Sequence, residues 1–396
     1  MIEIKDKELE KLVLEKHDYT LNLRRHFHEH PEIGLKEYET TKKIREELDK
    51  AGIAWIEASE TGTIGIIEGD GNSDNILALR GDIDALNVVE PKSFEFRSKN
   101  EGLMHACGHD AHTATLLSAG IILKQKYEHK FPGKIYLLFQ PGEETAAGAK
   151  AVIGSGKLND VKAFYGQHVW SPYDIGKVGT KSGSFMTGAR IFNINVIGKG
   201  GHGSTLETTK NPLVAASAIV LALQTITSNN ISAMDSAVVC VGGINGGKQF
   251  NAICDDCKII GTTRFTSKQM DATMCSRIEE IAENTAKAYG CQAVVEYGGS
   301  ISALRTDDRL TEITSCAYKK VVGEDNFINT ELIMGSEDFA EYCDIAPCAY
   351  GFIGCRNETI GADKVHHSSK FKIDEDCLDV AVATYIEFVK EYYNLK

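Results

Sequence analysis

The sequence predicts an α/β protein: a larger domain on a mostly parallel sheet, interrupted by a smaller inserted α+β block of ferredoxin-like order. Three observations carry that expectation. Strand-like and helix-like runs alternate at regular pitch through the first third of the chain. Between residues 186 and 300 the order becomes β-α-β-β-α-β. A chain of 396 residues is also long for a single core.

Residues 6–30 carry apolar positions at helical spacing (Leu9, Leu12, Val13, then Leu21 and Leu23), and Pro31 closes the segment. A second helix is predicted over 37–51, with Gly52 as its stop. Short apolar runs flanked by turn residues follow at 63–67 and 76–79, the latter ending in Arg80-Gly81-Asp82. A helix over 111–125, a strand over 134–139 and a helix over 148–154 complete the first part. In the middle, 191–197 alternates as a strand, and 211–227 is an apolar helix with Pro212 in its first turn. Strands at 236–241 and 258–265, an amphipathic helix at 267–289 and a strand at 292–297 close the block. The chain ends in an amphipathic helix over 375–393. The predicted division is 1–185 and 301–396 for the larger domain, with 186–300 inserted.

With 42% hydrophobic and 25% charged residues, the composition is that of an ordinary globular protein. The net charge of -13 repels phosphate backbones, so nucleic acid is not an expected partner. The 11 cysteines are odd in number and show no disulfide-like spacing, which suits a reducing cytoplasm. The amino-terminal MIEIKDKELEKLVLEKHDY has neither a basic start nor an apolar run, so no signal peptide is expected. No stretch reads as the roughly 20 apolar residues a bilayer needs, so no membrane partner is expected.

The densest chemical cluster is His105-Ala-Cys107-Gly-His109-Asp110-Ala-His112, just before a predicted helix. A thiolate and an imidazole two residues apart, with Gly108 between them, can reach one metal ion. A helix amino terminus favours the thiolate. The alternative is a buried free cysteine among hydrogen-bonded histidines. Phe139-Gln-Pro-Gly-Glu143-Glu144 follows an apolar strand, where open α/β sheets place their ligands. A turn there allows one carboxylate to bind metal while the other carries a proton; an exposed acidic turn is the simpler alternative.

His168, in Gly166-Gln-His-Val-Trp170, is expected at a strand end, and His366-His367 lies just before Phe371-Lys-Ile373. Each is a ligand candidate or a packed histidine. In Leu79-Arg-Gly-Asp82-Ile-Asp84, Asp82 reads as a turn residue, and Asp84 could orient a ligand imidazole. No one signal decides; their joint occurrence at apparent strand ends of one domain does more.

As a set, these segments resemble the aminoacylase/carboxypeptidase metallopeptidases, in the branch of hippurate hydrolases, auxin-conjugate amidohydrolases and N-acetyldiaminopimelate deacetylases. The resemblance rests on Arg24-Arg-His-Phe-His-Glu-His-Pro31-Glu-Ile-Gly34, Leu79-Arg-Gly-Asp-Ile-Asp-Ala-Leu86 and Met104-His-Ala-Cys-Gly-His-Asp-Ala-His-Thr113. Phe139-Gln-Pro-Gly-Glu-Glu144, Gly198-Lys-Gly-Gly-His202-Gly, Gly335-Ser-Glu-Asp-Phe339 and His367-Ser368 extend it over nearly the whole chain. It implies a catalytic domain with two divalent metal ions, and an inserted lid that makes a homodimer.

By position the resemblance implies Cys107, His109, Glu144, His168 and His367 as metal ligands, with His367 preferred to His366. It also implies Glu143 as general base and acid and Asp84 as the supporting carboxylate. His202 of the partner subunit would steady the oxyanion, and Arg264 with Asn251 could bind a substrate carboxylate. Mixed thiolate, imidazole and carboxylate donors suit zinc, and manganese, nickel or cobalt could serve.

The expected substrate is a small N-acyl amino acid. Rival readings are a carboxypeptidase or dipeptidase, a hydrolase with Cys107 as nucleophile, and a silent binding protein. Ser369, Cys254 and Thr205-Leu206 stand where the family pattern carries proline, which changes loop stiffness around the lid.

Overall fold

The computed structural model describes residues 2–395, which divide into two compact units: 2–185 with 306–331 and 338–395, and 186–305 with 332–337. The first unit is built on an eight-stranded sheet. Its strands run Ala54–Glu57, Thr63–Glu68, Lys134–Gln140, Ile76–Asp82, Val161–Asp174, Cys348–Arg356, Val178–Thr180 and Phe327–Asn329 across the sheet. The central four are parallel to one another, and antiparallel pairings are confined to the flanks. Ile76–Asp82 is buried at every position, as expected of a central parallel strand covered on both faces.

The strands' carboxyl ends lie level: Asp82 pairs with Gln140, and Arg80 with Gly166 two residues before His168. Helix His109–Tyr127 is buried from His109 through Leu123, and helix Cys377–Tyr393 is buried along most of its length. Core residues such as Leu79, Leu117, Leu137, Tyr165 and Ile386 fill the space between helices and sheet.

Three local expectations change; in the second unit, the one helix expected over 211–227 is two, Pro212–Leu223 and Thr225–Asn229. The single helix expected over 6–30 is two, Lys7–Leu14 and His17–Glu29. The helix expected from 111 starts at His109, because Gly108 adopts φ 101° and turns the chain directly into it.

The second unit is an antiparallel four-stranded sheet in the order Val238–Gly246, Asp256–Phe265, Gly188–Ile197, Gln292–Ile301. In chain order that is 2-3-1-4, the arrangement of a split β-α-β unit. Helices Pro212–Leu223 and Lys268–Ala288 pack on it through Ala215, Ile219, Leu223, Met274, Ile278 and Ala282. Contrary to the expectation that no stretch is long and apolar enough for a bilayer, residues 212–229 are so by length and composition. A third of that stretch is buried in this unit, and Leu221 on its outer side is 75% exposed.

Candidate metal centre

Asp84 lies just beyond the end of strand Ile76–Asp82. Its carboxylate faces two ways: Oδ1 is 3.2 Å from His109 Nδ1, and Oδ2 accepts the Glu144 N–H at 3.0 Å. The Asp84 carbonyl is also 3.0 Å from His109 Nδ1. That nitrogen therefore carries a proton, and Nε2 points the other way, buried and without a hydrogen bond. A wholly buried imidazole nitrogen with no hydrogen bond, 3.5 Å from Asp82 Oδ2, fits a metal ligand.

Around it stand the other donors. Cys107 Sγ is 3.4 Å from His168 Nε2, and His168 Nδ1 is 2.5 Å from the Val169 carbonyl, which leaves Nε2 on the thiol side. His367 Nε2 lies 3.1 Å from Glu144 Oε1, and the His367 N–H donates to Ala106 O at 2.8 Å, tying it to the cysteine loop. His367 holds φ 66°, a left-handed conformation unusual for a residue with a side chain, as constrained functional positions often show. His366 is engaged elsewhere: its Nε2 accepts the Ser171 N–H at 3.1 Å and its ring stacks on Trp170. Of the two histidines, His367 is the one that meets Glu144.

Glu143 and Glu144 occupy a single 3-10 turn, Glu143–Thr145, bracketed by Gly142 (φ 60°) and Ala146 (φ 56°). The tight turn sends neighbouring carboxylates to different partners. Glu143 Oε1 accepts the Asp338 N–H at 3.3 Å, while Glu144 faces His367. Among the described residues of the first unit four donor sets each gather within 4.8 Å: Cys107, His109 and His168; Cys107, Glu144 and His367; His109, Glu143 and Glu144; and Asp82, His109 and His112. The first three, sharing Cys107 and His109, could hold two divalent ions.

Electrostatics revise one expectation. Burial pushes the Cys107 thiol well above its ordinary pKa, and Glu144 and Glu143 add to the rise against His109. The helix amino terminus does not prevail, because total desolvation outweighs it. A thiolate at this position calls for a cation beside it. Burial likewise holds His168 well below the usual imidazole range, keeping it neutral.

Asp82, for which a plain turn residue is the simplest expectation from sequence, is wholly buried. Arg80 Nη1 donates to its Oδ2 at 2.6 Å, and His112 Nδ1 is 2.5 Å from Oδ1. His112 Nε2 in turn accepts the Val169 N–H, so this histidine braces the strand that carries His168. Asp338, assigned no role from sequence, accepts from Arg80, Gln140 and the Ala149 N–H. Its signal was present in the Gly335-Ser-Glu-Asp-Phe339 match, but buried carboxylate networks leave no periodicity to read.

His202, Asn251 and Arg264 belong to the second unit. His202 is exposed, with Nδ1 2.7 Å from Ser204 Oγ, and it pairs with Ala252, next to Asn251. Arg264 donates to Ser336 Oγ at 2.7 Å.

Residues 78–391 match peptidase family M20/M25/M40. The chain belongs to this family. "IAA-amino acid hydrolase ILR1-like 6" of Arabidopsis thaliana is 38% identical over 379 residues, covering 94% of this chain and 80% of its own. "N-acetylcysteine deacetylase" of Bacillus subtilis is 35% identical, over 94% and 96%. "Thermostable carboxypeptidase 2" of Saccharolobus solfataricus is also 35% identical, over 96% and 97%. Among solved structures, a Bacillus subtilis protein described as "a Dinuclear Metal Binding Peptidase from M20 Family" superposes with TM-score 0.84 at 31% identity, over 96% and 99%. This M20 protein is a metal-dependent amide hydrolase, and the donor sets around Cys107 and His109 suit a centre of two divalent ions.

Proposed function

We propose that this M20 enzyme hydrolyses the amide bond of small N-acyl amino acids, N-acetyl, N-benzoyl or related conjugates. Glu143 carries the proton, and Cys107, His109, Glu144, His168 and His367 hold the ions, with Asp84 behind them. The observation that supports this division is the Glu143–Thr145 turn, which gives two adjacent carboxylates separate partners. Divalent ions bound there would act as Lewis acids and acidify a water at neutral pH. Glu143 takes a proton from the attacking water and returns it to the leaving nitrogen as the C–N bond breaks. Asp84 keeps His109 in the tautomer that presents Nε2.

On the second unit, Arg264 and Asn251 bind the free carboxylate of the substrate, and the unit serves as a lid that pairs two subunits. The exposed apolar side of helix Pro212–Leu223 supports the pairing. His202 of the partner subunit steadies the oxyanion. Zinc suits the donor set, with manganese, nickel or cobalt as substitutes, and the cytoplasm suits eleven free cysteines. The names of the plant and Bacillus relatives support N-acyl amino acids, and that of the Saccharolobus relative supports a carboxypeptidase reading.

The deciding experiment is a hydrolysis screen of N-acetyl, N-benzoyl and indole-acyl amino acids beside dipeptides, after chelation and readdition of each metal. N-acyl amino acids should be the better substrates, and chelation should abolish turnover. Activity that survives chelation would indicate Cys107 as nucleophile. Glu143→Ala should lose roughly 10²–10⁴-fold in kcat while keeping its metal; near-normal turnover would overturn the mechanism.

A further inference from the structure

Pro31-Glu-Ile-Gly34 ends one of the segments that carry the family resemblance, and neither it nor the residues that follow to Glu37 have a part in the chemistry above. Its placement is specific. Ile33 bridges Ala85, and the Ala85 N–H donates to Glu32 O at 2.8 Å, so the segment is laid against the chain just beyond Asp84. A Cβ on Gly34 would come within 3.1 Å of both Asp84 Oδ2 and Gly142 Cα. This backbone thus touches both the Asp84 side chain and the start of the glutamate turn, which is why glycine stands there.

Glu37 closes the segment. It is completely buried, and its carboxylate accepts three hydrogen bonds: Oε1 from the Leu35 N–H at 2.9 Å and the Gly142 N–H at 2.8 Å, Oε2 from the Thr61 hydroxyl at 2.7 Å. Leu35 sits at φ 64°, a left-handed conformation that is strained for a residue with a side chain. Such strain persists where neighbouring contacts over-determine the backbone. Gly142, the other partner of Oε1, is the left-handed residue from which Glu143 and Glu144 diverge.

We propose that Glu37 is a positioning residue for hydrolysis: by holding the Gly142 N–H it sets the directions of Glu143 and Glu144. The proposal rests on the roles given to those two glutamates above. It makes Glu37 neither a ligand nor a proton carrier. Its effect passes through one backbone hydrogen bond. Burial pushes the Glu37 carboxyl up to about 7, against its hydrogen bonds to Thr61 and the backbone, so a neutral acceptor is tolerated there. Glutamine fits that requirement: its carbonyl can accept both N–H groups while its amide donates to the Thr61 oxygen.

The test compares Glu37→Ala and Glu37→Gln in the metal-loaded enzyme, each alone and combined with Glu143→Ala. The readouts are kcat, KM and the chelator concentration that strips half the metal. Glu37→Ala should lower kcat roughly 10–100-fold, with a comparable weakening of metal retention and KM nearly unchanged. Glu37→Gln should return both to within about threefold of the parent enzyme. In the Glu143→Ala background, Glu37→Ala should cost little further kcat, because the two act as a unit.

If the alanine variant does not fold, Glu37→Asp, which withdraws the carboxylate by one methylene, should show a loss of about tenfold instead. Normal kcat and metal retention in Glu37→Ala, a glutamine variant as impaired as alanine, or fully additive losses would each overturn the proposal. Should Glu143→Ala itself prove active, the proton-carrier reading fails alone. Metal retention through Glu144 still decides for or against Glu37.

Discussion

Asp84 and His109 are joined twice, through the Asp84 carboxylate at 3.2 Å and its carbonyl at 3.0 Å, both on His109 Nδ1. The same side chain accepts the Glu144 N–H, so one carboxylate orients an imidazole and a glutamate turn together. Asp84→Asn turns one of its two acceptor oxygens into a donor, facing either the His109 Nδ1–H or the Glu144 N–H. Activity or metal affinity should fall roughly 10–100-fold, read by steady-state kinetics and metal titration. An asparagine variant indistinguishable in both would remove Asp84 from this role.

Gly108 is a second pivot. At φ 101° it separates Cys107 from His109, and a Cβ there would sit 2.3 Å from Val169 Cγ2. Gly108→Ala should destabilise the fold by about 1–3 kcal/mol through backbone strain alone, with the overlap adding more, and should weaken metal binding. Calorimetry of the chelated and loaded forms measures both. An unshifted melting temperature would mean that alanine is accommodated.

Arg264 yields a prediction about substrates. If its guanidinium binds a free carboxylate, Arg264→Ala should raise KM for free-acid substrates by roughly 10–100-fold, the weight of a charged hydrogen bond. The corresponding C-terminal amides should be hardly affected. Equal changes in both series would exclude the contact.

Glu37 gives a pH prediction. Its folded-state pKa, pushed up to about 7 by burial, stands above the ordinary carboxyl value of 4.5. A raised value means that its stabilising contribution is whole below about pH 4.5 and is lost as pH rises through 7. Glu37→Gln removes this dependence. The variant's stability relative to the parent should therefore climb between about pH 4.5 and 7 and level off above, by at most about 3 kcal/mol. Urea titrations of the metal-free proteins across that range would show it; a difference independent of pH would contradict the burial argument.

The sequence by itself determined the strand–helix alternation, the β-α-β-β-α-β order and which residues are candidate donors. These are local matters of periodicity, turn chemistry and motif spacing. Cys107, His109 and the Glu143-Glu144 pair were legible because each sits within a few residues of a strand end or helix start. The resemblance already preferred His367 to His366, but only the tertiary structure showed why: one backbone turn at φ 66° sends the neighbouring rings to different partners, His367 to Glu144. The tertiary structure alone showed Asp82 buried against Arg80, and Asp338 and Glu37 holding the glutamate turn from opposite ends of the chain. Contacts between residues so distant in sequence form only when separate strands and loops close on one another. Desolvation, which reversed the expected shift at Cys107, likewise depends on everything packed around the thiol.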